Sequence, residues 1–202
     1  MRTNKTTKDT GFTLTELIIV IVIVGILSGI SITNFSQRWA QERLLAASRH
    51  LQGWIDQQRR IAIQEGKACE LSIDTAQAEL RPSSSEITLN SDSSIPNACA
   101  NQETFKVRKS VNNGSSIDLS VTPSNATALR FSFRGHSEVV DKNGQRLTCP
   151  ETSIGECDAL VLNLTLSGST KKRCVKVINP LGIIRTGVSQ STSSSCSYSH
   201  SF

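Results

Sequence analysis

The feature that most constrains this chain is an apolar stretch near its start, Leu17–Leu27, which continues with few polar interruptions to about Ile32. A helix that crosses a membrane needs about 20 predominantly apolar residues, so the stretch is nearly long enough to span a bilayer. Upstream lies a polar and basic leader, Met1–Gly11. We therefore expect a membrane helix over about residues 12–32, preceded by a segment that does not belong to the fold.

One carboxylate, Glu16, lies at the start of this apolar stretch, with no basic residue near it in sequence. An ionisable group inside a membrane segment costs about 2.5 kcal/mol or more, which makes Glu16 a candidate functional residue. If the chain is cut after Gly11, the new α-amino group of Phe12 stands at i and Glu16 at i+4 of a helix. We expect that amine, on the same subunit or on a neighbour, to neutralise the carboxylate.

The residues GFTLTE at Gly11–Glu16, followed by an apolar helix, resemble the class III signal of type IV pilins and type II secretion pseudopilins. The resemblance implies cleavage between Gly11 and Phe12 by prepilin peptidase, N-methylation of Phe12, and a role for Glu16 in docking subunits into a filament. Thr15 departs from the pattern, which usually has an apolar residue there. The alternative, an ordinary secretory signal peptide, has a shorter apolar region and ends in a small-residue cleavage site that is absent here.

The same resemblance implies a location and a set of partners. The chain would lie in the bacterial inner membrane as a single-pass protein with its C-terminal domain in the periplasm, before incorporation into a pilus or pseudopilus. Its partners would be prepilin peptidase, other major and minor pilins or pseudopilins, the inner-membrane assembly platform, and lipid before assembly. The Gly-x-x-x-Gly spacing of Gly25 and Gly29 favours close packing against another helix, or reflects only the frequency of glycine in membrane helices.

Beyond the apolar stretch the pattern becomes amphipathic, with apolar residues at steps of three and four, and Gly66 is the expected stop. This stripe comprises Ala40, Leu44, Ala47, Leu51, Trp54 or Ile55, Gln58, and Ile61 or Ala62. A helix from Phe12 to Glu65 would be ~80 Å long. The pattern therefore predicts one long helix over residues 12–66.

Short alternating segments separated by turn residues follow, and they predict antiparallel strands. The predicted strands are Ala68–Ile73, Ala78–Arg81, Thr104–Arg108, Ile117–Val121, Ala128–Phe133, Ser137–Val140, Ala159–Leu166, Arg173–Ile178 and Ile183–Thr186. Residues 82–96 are expected to be mostly loop, with one short run at Glu86–Leu89. We predict an α+β, pilin-like fold with a leader (1–11), the helix (12–66) and a β-rich periplasmic domain (67–188) of antiparallel sheets packed as a sandwich on the amphipathic half of the helix. A Ser-rich tail (189–202) follows, which we expect to be disordered beyond any disulfide at Cys196.

Six cysteines lie beyond the apolar stretch, as expected for disulfides in an exported domain. Six cysteines allow fifteen connectivities, so the sequence does not decide the pairing. Proximity favours Cys149 with Cys157 and Cys174 with Cys196, which would leave Cys69 with Cys99.

The order of helix, strand-rich domain and terminal hairpin Arg173–Gly187 resembles the GspH/FimT family of minor pilins and pseudopilins. Some members are associated with DNA binding in natural transformation through a terminal Gly-Arg-x-Arg motif. Here the corresponding stretch is Gly182–Arg185, in which Ile183 replaces the first Arg, so only Arg185 carries over. The candidate DNA contacts are Arg185, Lys171, Lys172, Arg173 and Lys176. The alternative is a solvated strand edge, where lysines discourage edge pairing.

Composition and motifs argue against enzymatic function. The net charge is +5, of which the leader contributes +2, so the remaining chain is only weakly basic and does not require a nucleic-acid partner. The histidines His50, His136 and His200 are scattered, there is no Cys-x-x-Cys pair, and no catalytic motif is present. We therefore expect a structural subunit with no catalytic residue, no metal and no cofactor.

Overall fold

The computed structural model describes residues 11–90, 93–107, 116–147, 159–166, 169–190 and 196–198, without the side chains of 29–36 and 89–90. The chain divides into two compact units, Met1–Trp39 and Ala40–Phe202. One helix, α1 (Leu14–Glu65), contributes residues to both. The predicted leader residues 1–10 and the predicted pair Cys149 and Cys157 lie outside the described residues.

Helix α1 ends where the sequence predicts, at Gly66. This glycine has a φ of 64°, in the left-handed region. Its amide donates to the carbonyl of Ile63 at 3.3 Å, and the amide of Lys67 donates to the carbonyl of Ala62 at 3.2 Å. This pair of bonds is the Schellman arrangement, which satisfies carbonyls that the last helical turn would otherwise leave without partners.

In the second unit, α1 buries one stripe of residues against the sheets. The buried positions are Leu44, Ser48, Leu51, Ile55, Gln58 and Ala62. The prediction placed Ala47 in this stripe, whereas Ser48 is fully buried and Ala47 packs at its margin. Ser48 can occupy the core because its hydroxyl donates to the carbonyl of Leu45 at 2.9 Å.

The β-rich part of the second unit contains two five-stranded antiparallel sheets and one two-stranded hairpin among the described residues. The strands are β1 (Cys69–Asp74), β2 (Glu79–Pro82), β3 (Glu86–Asn90), β4 (Ser93–Pro96), β5 (Phe105–Lys106), β6 (Ile117–Thr122), β7 (Ala128–Phe131), β8 (Ser137–Val140), β9 (Ala159–Leu166), β10 (Lys171–Ile178), β11 (Ile183–Gln190) and β12 (Ser197–Tyr198). The first sheet has the order β5-β2-β1-β7-β8 and the second β12-β11-β10-β9-β6. Both sheets supply buried residues to one core that includes the helix stripe.

Two segments are more regular than predicted. The stretch expected to be mostly loop contains the β3–β4 hairpin, in which Ile87 is fully buried. The buried side chain of Asn97 fixes this hairpin to β1, because its amide nitrogen donates to the carbonyl of Glu70 and its amide oxygen accepts from the amide of Glu70, both at 3.1 Å. The predicted disordered tail includes β12, whose residues pair with β11. The bonds between Asn97 and Glu70 span 27 residues, and the disulfide between Cys174 and Cys196 beside β12 spans 22, so local composition did not reveal these two constraints.

A buried arginine joins strands of the first sheet. The side chain of Arg130 on β7 is 8% exposed and forms ion pairs with Glu70 on β1 and with Glu138 on β8, the latter at 3.0 Å. Its guanidinium also donates to the carbonyl of Thr88 on β3 at 3.4 Å. Glu138 is therefore part of an ion-pair network.

Candidate functional site

The start of α1 is a capping box formed by Thr13 and Glu16. The backbone amide and the hydroxyl of Thr13 donate to the Glu16 carboxylate at 3.1 Å and 3.2 Å. In return, the amide of Glu16 donates to the Thr13 hydroxyl at 3.3 Å. These bonds satisfy amides at the helix start, and an acidic residue there is favoured by the helix dipole.

The capping box changes the interpretation of Glu16. The sequence analysis placed Phe12 on the helix, one turn before Glu16, but α1 begins at Leu14 and Phe12 is non-helical. The pairing of the Phe12 amine with Glu16 concerns the chain after cleavage, and it stays a prediction. Thr13 was not identified as a functional residue, although the signature Thr-x-x-Glu before an apolar run is visible in the sequence.

The first helical turns expose apolar side chains on every face. Each residue from Leu17 to Val24 is between 51% and 61% exposed, and Phe12 is 87% exposed. A helix that is apolar all round is normally covered by protein or lipid. Within the part of the chain whose residues the structure describes, no helix has the length and hydropathy of a membrane-crossing segment.

The predicted packing glycines are only partly described. At Gly25 no atom beyond the chain neighbours and the backbone of the same helix lies within 4 Å of the position that a Cβ would occupy, so this face of the helix is open. Gly29 lies in α1, but its surroundings are outside the described side chains. The role of both glycines in close helix packing stays a prediction.

Two of the three predicted disulfides are confirmed. Cys69 is bonded to Cys99, and both residues are fully buried. Cys174 is bonded to Cys196, which ties β12 to β10 across the intervening strand β11. The remaining predicted pair lies outside the described residues.

The predicted basic cluster is divided between the two faces of the β10–β11 hairpin. Because side chains alternate along a strand, Lys171 and Arg173 point to one face and Lys172 and Lys176 to the other. Arg185 pairs directly with Lys176 across the hairpin and shares its face. Lys172 is only 9% exposed, so it is a poor candidate for contact with a phosphate.

An aromatic residue that the sequence analysis did not connect with this cluster joins it from β12. The Nζ atom of Lys176 lies 5.5 Å from the centre of the Tyr198 ring. Tyr198 can approach because Gly187, its partner on β11, has no Cβ; such an atom would lie 2.8 Å from the ring. Burial raises the pKa of Tyr198 above its ordinary value of 10.0.

The described residues contain no group of three or more His, Cys, Asp or Glu side chains placed to hold a metal ion. His136 is exposed in the turn after Gly135, and His50 packs edge-on against Phe105 with ring centres 5.1 Å apart. His200 lies outside the described residues. None of these observations provides a catalytic arrangement.

Residues 6–32 match the family described as the prokaryotic N-terminal methylation motif. None of the curated proteins compared with the chain matches it significantly. Among solved structures, the type IV minor pilin FimU of Pseudomonas aeruginosa is similar at a TM-score of 0.45 and 13% identity, over 78% of this chain and 94% of that chain.

The matched segment contains the capping box and the exposed apolar turns of α1. The methylation motif therefore lies at the start of helix α1, which leads into the antiparallel sheets.

Proposed function

We propose that this protein is a minor pilin or pseudopilin of the GspH/FimT type, a structural subunit that enters or primes a type IV pilus or a type II secretion pseudopilus. Prepilin peptidase cleaves it between Gly11 and Phe12, and Phe12 is then N-methylated. Before assembly the apolar part of α1 anchors it in the inner membrane, with the β-rich unit in the periplasm. The assembly platform then transfers it into the filament.

The observation that supports this proposal is the continuous apolar surface of the first turns of α1. Side chains from Leu17 to Val24 remain about half exposed on every face. Full burial of one large aliphatic side chain is worth about 1.5–3 kcal/mol, so this surface requires a cover of lipid or of neighbouring apolar helices. During assembly the lipid around this surface is replaced by the apolar helices of neighbouring subunits.

In the proposed mechanism, Glu16 sets the axial position of the helix relative to the helices of neighbouring subunits. Cleavage creates a positive α-amino group on Phe12, and a carboxylate on the same or a neighbouring subunit lowers the cost of burying it. Apolar helices slide past one another at little cost, whereas one ion pair favours a single alignment. The capping bonds from Thr13 hold the carboxylate at the helix start.

Four variants separate the charge of Glu16 from its capping role. Glu16→Gln retains a side chain that can complete a capping box but removes the charge, and Glu16→Ala removes both. Thr13→Ala weakens the cap by about 0.5–2 kcal/mol and keeps the charge, and Thr13→Ser is the matched control. We expect both Glu16 variants to be depleted from sheared filaments although their membrane fractions stay normal, whereas Thr13→Ala is depleted less.

Incorporation is measured by immunoblotting of sheared filaments and of membranes from the same cells. Normal incorporation of Glu16→Gln together with loss of Glu16→Ala would mean that only the cap matters. Normal incorporation of both Glu16 variants would remove the docking role altogether.

A second candidate function is DNA binding during uptake, and the contact between Tyr198 and Lys176 favours it. Single-stranded nucleic acid is bound by aromatic rings beside basic residues, and this face carries Tyr198, Lys176 and Arg185 together. Tyr198 reaches the cluster only through the pairing of β12 with β11, so its place in the sequence does not reveal the contact.

The two faces of the hairpin supply a matched test of DNA binding. Full-length protein in detergent is titrated with a labelled single-stranded oligonucleotide at several salt concentrations. We expect Lys176→Gln and Arg185→Gln each to weaken binding and to reduce the salt slope by about one, with Lys171→Gln, on the opposite face, having less effect. Absent or salt-insensitive binding contradicts this candidate.

A further inference from the structure

The second unit exposes large apolar side chains close to where α1 ends. Among the described residues from Ala40 onward, the large hydrophobic residues that are 40% exposed or more are Ile63, Phe133, Leu181 and Ile183. They come from three segments: the last turn of α1, the turn at 132–136, and the turn at 179–182 together with Ile183, the first residue of β11. We call these four residues the end patch.

The three segments are held together by Arg59. Its Nε donates to the carbonyl of Gly135 at 3.0 Å, and its Nη2 donates to the carbonyl of Leu181 at 3.4 Å. The two turns are also joined directly, because the amide of Ser137 donates to the carbonyl of Pro180 at 2.9 Å. The end patch is therefore part of a connected structure and not a set of independent loops.

The turns approach one another closely enough to exclude side chains. A Cβ at Gly182 would lie 2.5 Å from the carbonyl oxygen of Gly135, and a Cβ at Gly135 would lie 2.9 Å from Cδ1 of Ile63. Both glycines have positive φ angles. This close packing limits how far the exposed side chains can move before a partner binds.

The end patch continues into a groove with a volume of about 550 Å³. Phe133, His136 and Pro180 line its side nearest the patch, and Ile95 and Pro96 add further apolar surface. A groove of this size accommodates a few residues of an extended peptide or a small ligand. Apolar surface thus extends over both the patch and the groove.

The surrounding charge is positive. Lys67 and Arg146 line the groove, and neither forms an ion pair with a carboxylate among the described residues. The Arg59 guanidinium is bound to neutral carbonyls, and that of Arg134 lies 5.3 Å from the centre of the Phe133 ring, so both keep their charge. Arg130, in contrast, is paired with Glu70 and with Glu138, which also lines the groove, and this cluster of three side chains carries a net charge of −1. The positive charge around the groove therefore comes from Lys67, Arg134 and Arg146, together with Arg59.

We propose that the end patch and its groove form a docking site for an extended protein segment that combines aliphatic and acidic side chains. The aliphatic side chains cover the four exposed residues, and the carboxylates pair with Lys67, Arg134 and Arg146. A protein segment fits better than nucleic acid, because a phosphate backbone would leave the aliphatic residues of the patch uncovered. The site is independent of Glu16 and of filament entry.

The test uses the full chain in nanodiscs of zwitterionic lipid, with empty nanodiscs as the blank. Fluorescence anisotropy measures binding of a short labelled peptide that combines leucine and glutamate. Two control peptides carry lysine in place of glutamate or serine in place of leucine. We expect the leucine–glutamate peptide to bind about tenfold more tightly than either control, because both contacts contribute.

Variants locate the site. Phe133→Ser and Leu181→Ser should each weaken binding of the leucine–glutamate peptide about tenfold, whereas Trp39→Ser, the same type of change at an exposed position outside the patch, should not. Arg134→Gln should weaken it mainly at low salt. Circular dichroism checks that each variant is folded, and two patch variants in separate turns keep the test decisive if one fails that check.

Equal affinity for the three peptides, or an unchanged affinity in both patch variants, overturns the proposal. Displacement of the bound peptide by an unlabelled oligothymidylate, with loss of oligothymidylate binding in Phe133→Ser, would assign the surface to nucleic acid instead. Failure here leaves the assembly experiment with Glu16 variants unaffected, since that experiment measures filament incorporation.

Discussion

At the scale of single residues, Arg130 shows how burial decides the value of an ion pair. Its side chain is 8% exposed and contacts carboxylates on two neighbouring strands, whereas the ion pair between Arg60 and Asp56 on α1 leaves Arg60 72% exposed. Removing one member of a buried pair leaves a charge without a partner in a weakly solvating environment. At the exposed pair, water solvates the charge that remains after its partner is removed.

We predict that Arg130→Met lowers the free energy of unfolding by about 3–5 kcal/mol, the usual cost of breaking a buried ion pair. Arg60→Met, the same change at the exposed pair, should cost about 0.5 kcal/mol or less. Thermal and denaturant unfolding of the full chain in detergent measure both. Similar losses in the two variants would show that the Arg130 network is not a major source of stability.

At the scale of secondary-structure elements, β12 is the shortest strand that carries a candidate functional residue. Among the described residues it pairs with β11 through Ser197 and Tyr198 alone, so we expect its position to depend on the disulfide between Cys174 and Cys196. Burial of the Tyr198 ring raises the pKa of its hydroxyl, because the charged phenolate is less well solvated there. The ionisation of Tyr198 therefore reports whether β12 is in place.

We predict that Tyr198 ionises above pH 10 in the folded protein and that Cys196→Ser lowers its pKa towards 10.0. Tyr198 is the only tyrosine in the sequence, so the ultraviolet absorbance of phenolate is specific to it. Because folding raises the pKa of Tyr198, this residue stabilises the folded protein fully below pH 10.0. That stabilisation is lost as the pH rises through the pKa that Tyr198 has in the folded protein. An identical titration in Cys196→Ser would show that the disulfide does not hold the ring in place.

At the scale of the whole molecule, the features predicted from sequence are those that local patterns determine. The stop of α1 at Gly66 and the strand Ala159–Leu166 follow from chain conformation and from alternation over a few residues. The contacts that were missed join residues far apart in sequence. Arg130 meets Glu70 across 60 residues, and Tyr198 meets Lys176 only after β12 pairs with β11. Hydropathy contains no signal for such pairs.

The candidate sites divide in the same way. Glu16 was found because a carboxylate beside an apolar run is a local anomaly, and its bond to Thr13 spans only three residues. The end patch could not be found, because Ile63, Phe133 and Leu181 are unremarkable until Arg59 brings their segments together. Local sequence therefore reveals a site that lies within one helical turn. A site built from three separate segments can be recognised only once the folded structure is known.

The capping box at Thr13 has a consequence for the proposed processing step. Because α1 begins at Leu14, the bond between Gly11 and Phe12 lies outside the hydrogen-bonded helix, where a peptidase can bind the backbone in an extended form. The cut leaves Phe12 alone before the cap and places a new positive charge beside the positive end of the helix dipole. The Glu16 carboxylate, which caps the helix before cleavage, is already close enough to balance that charge. Glu16 would therefore act as a helix cap before cleavage and as the partner of the new amino group after it.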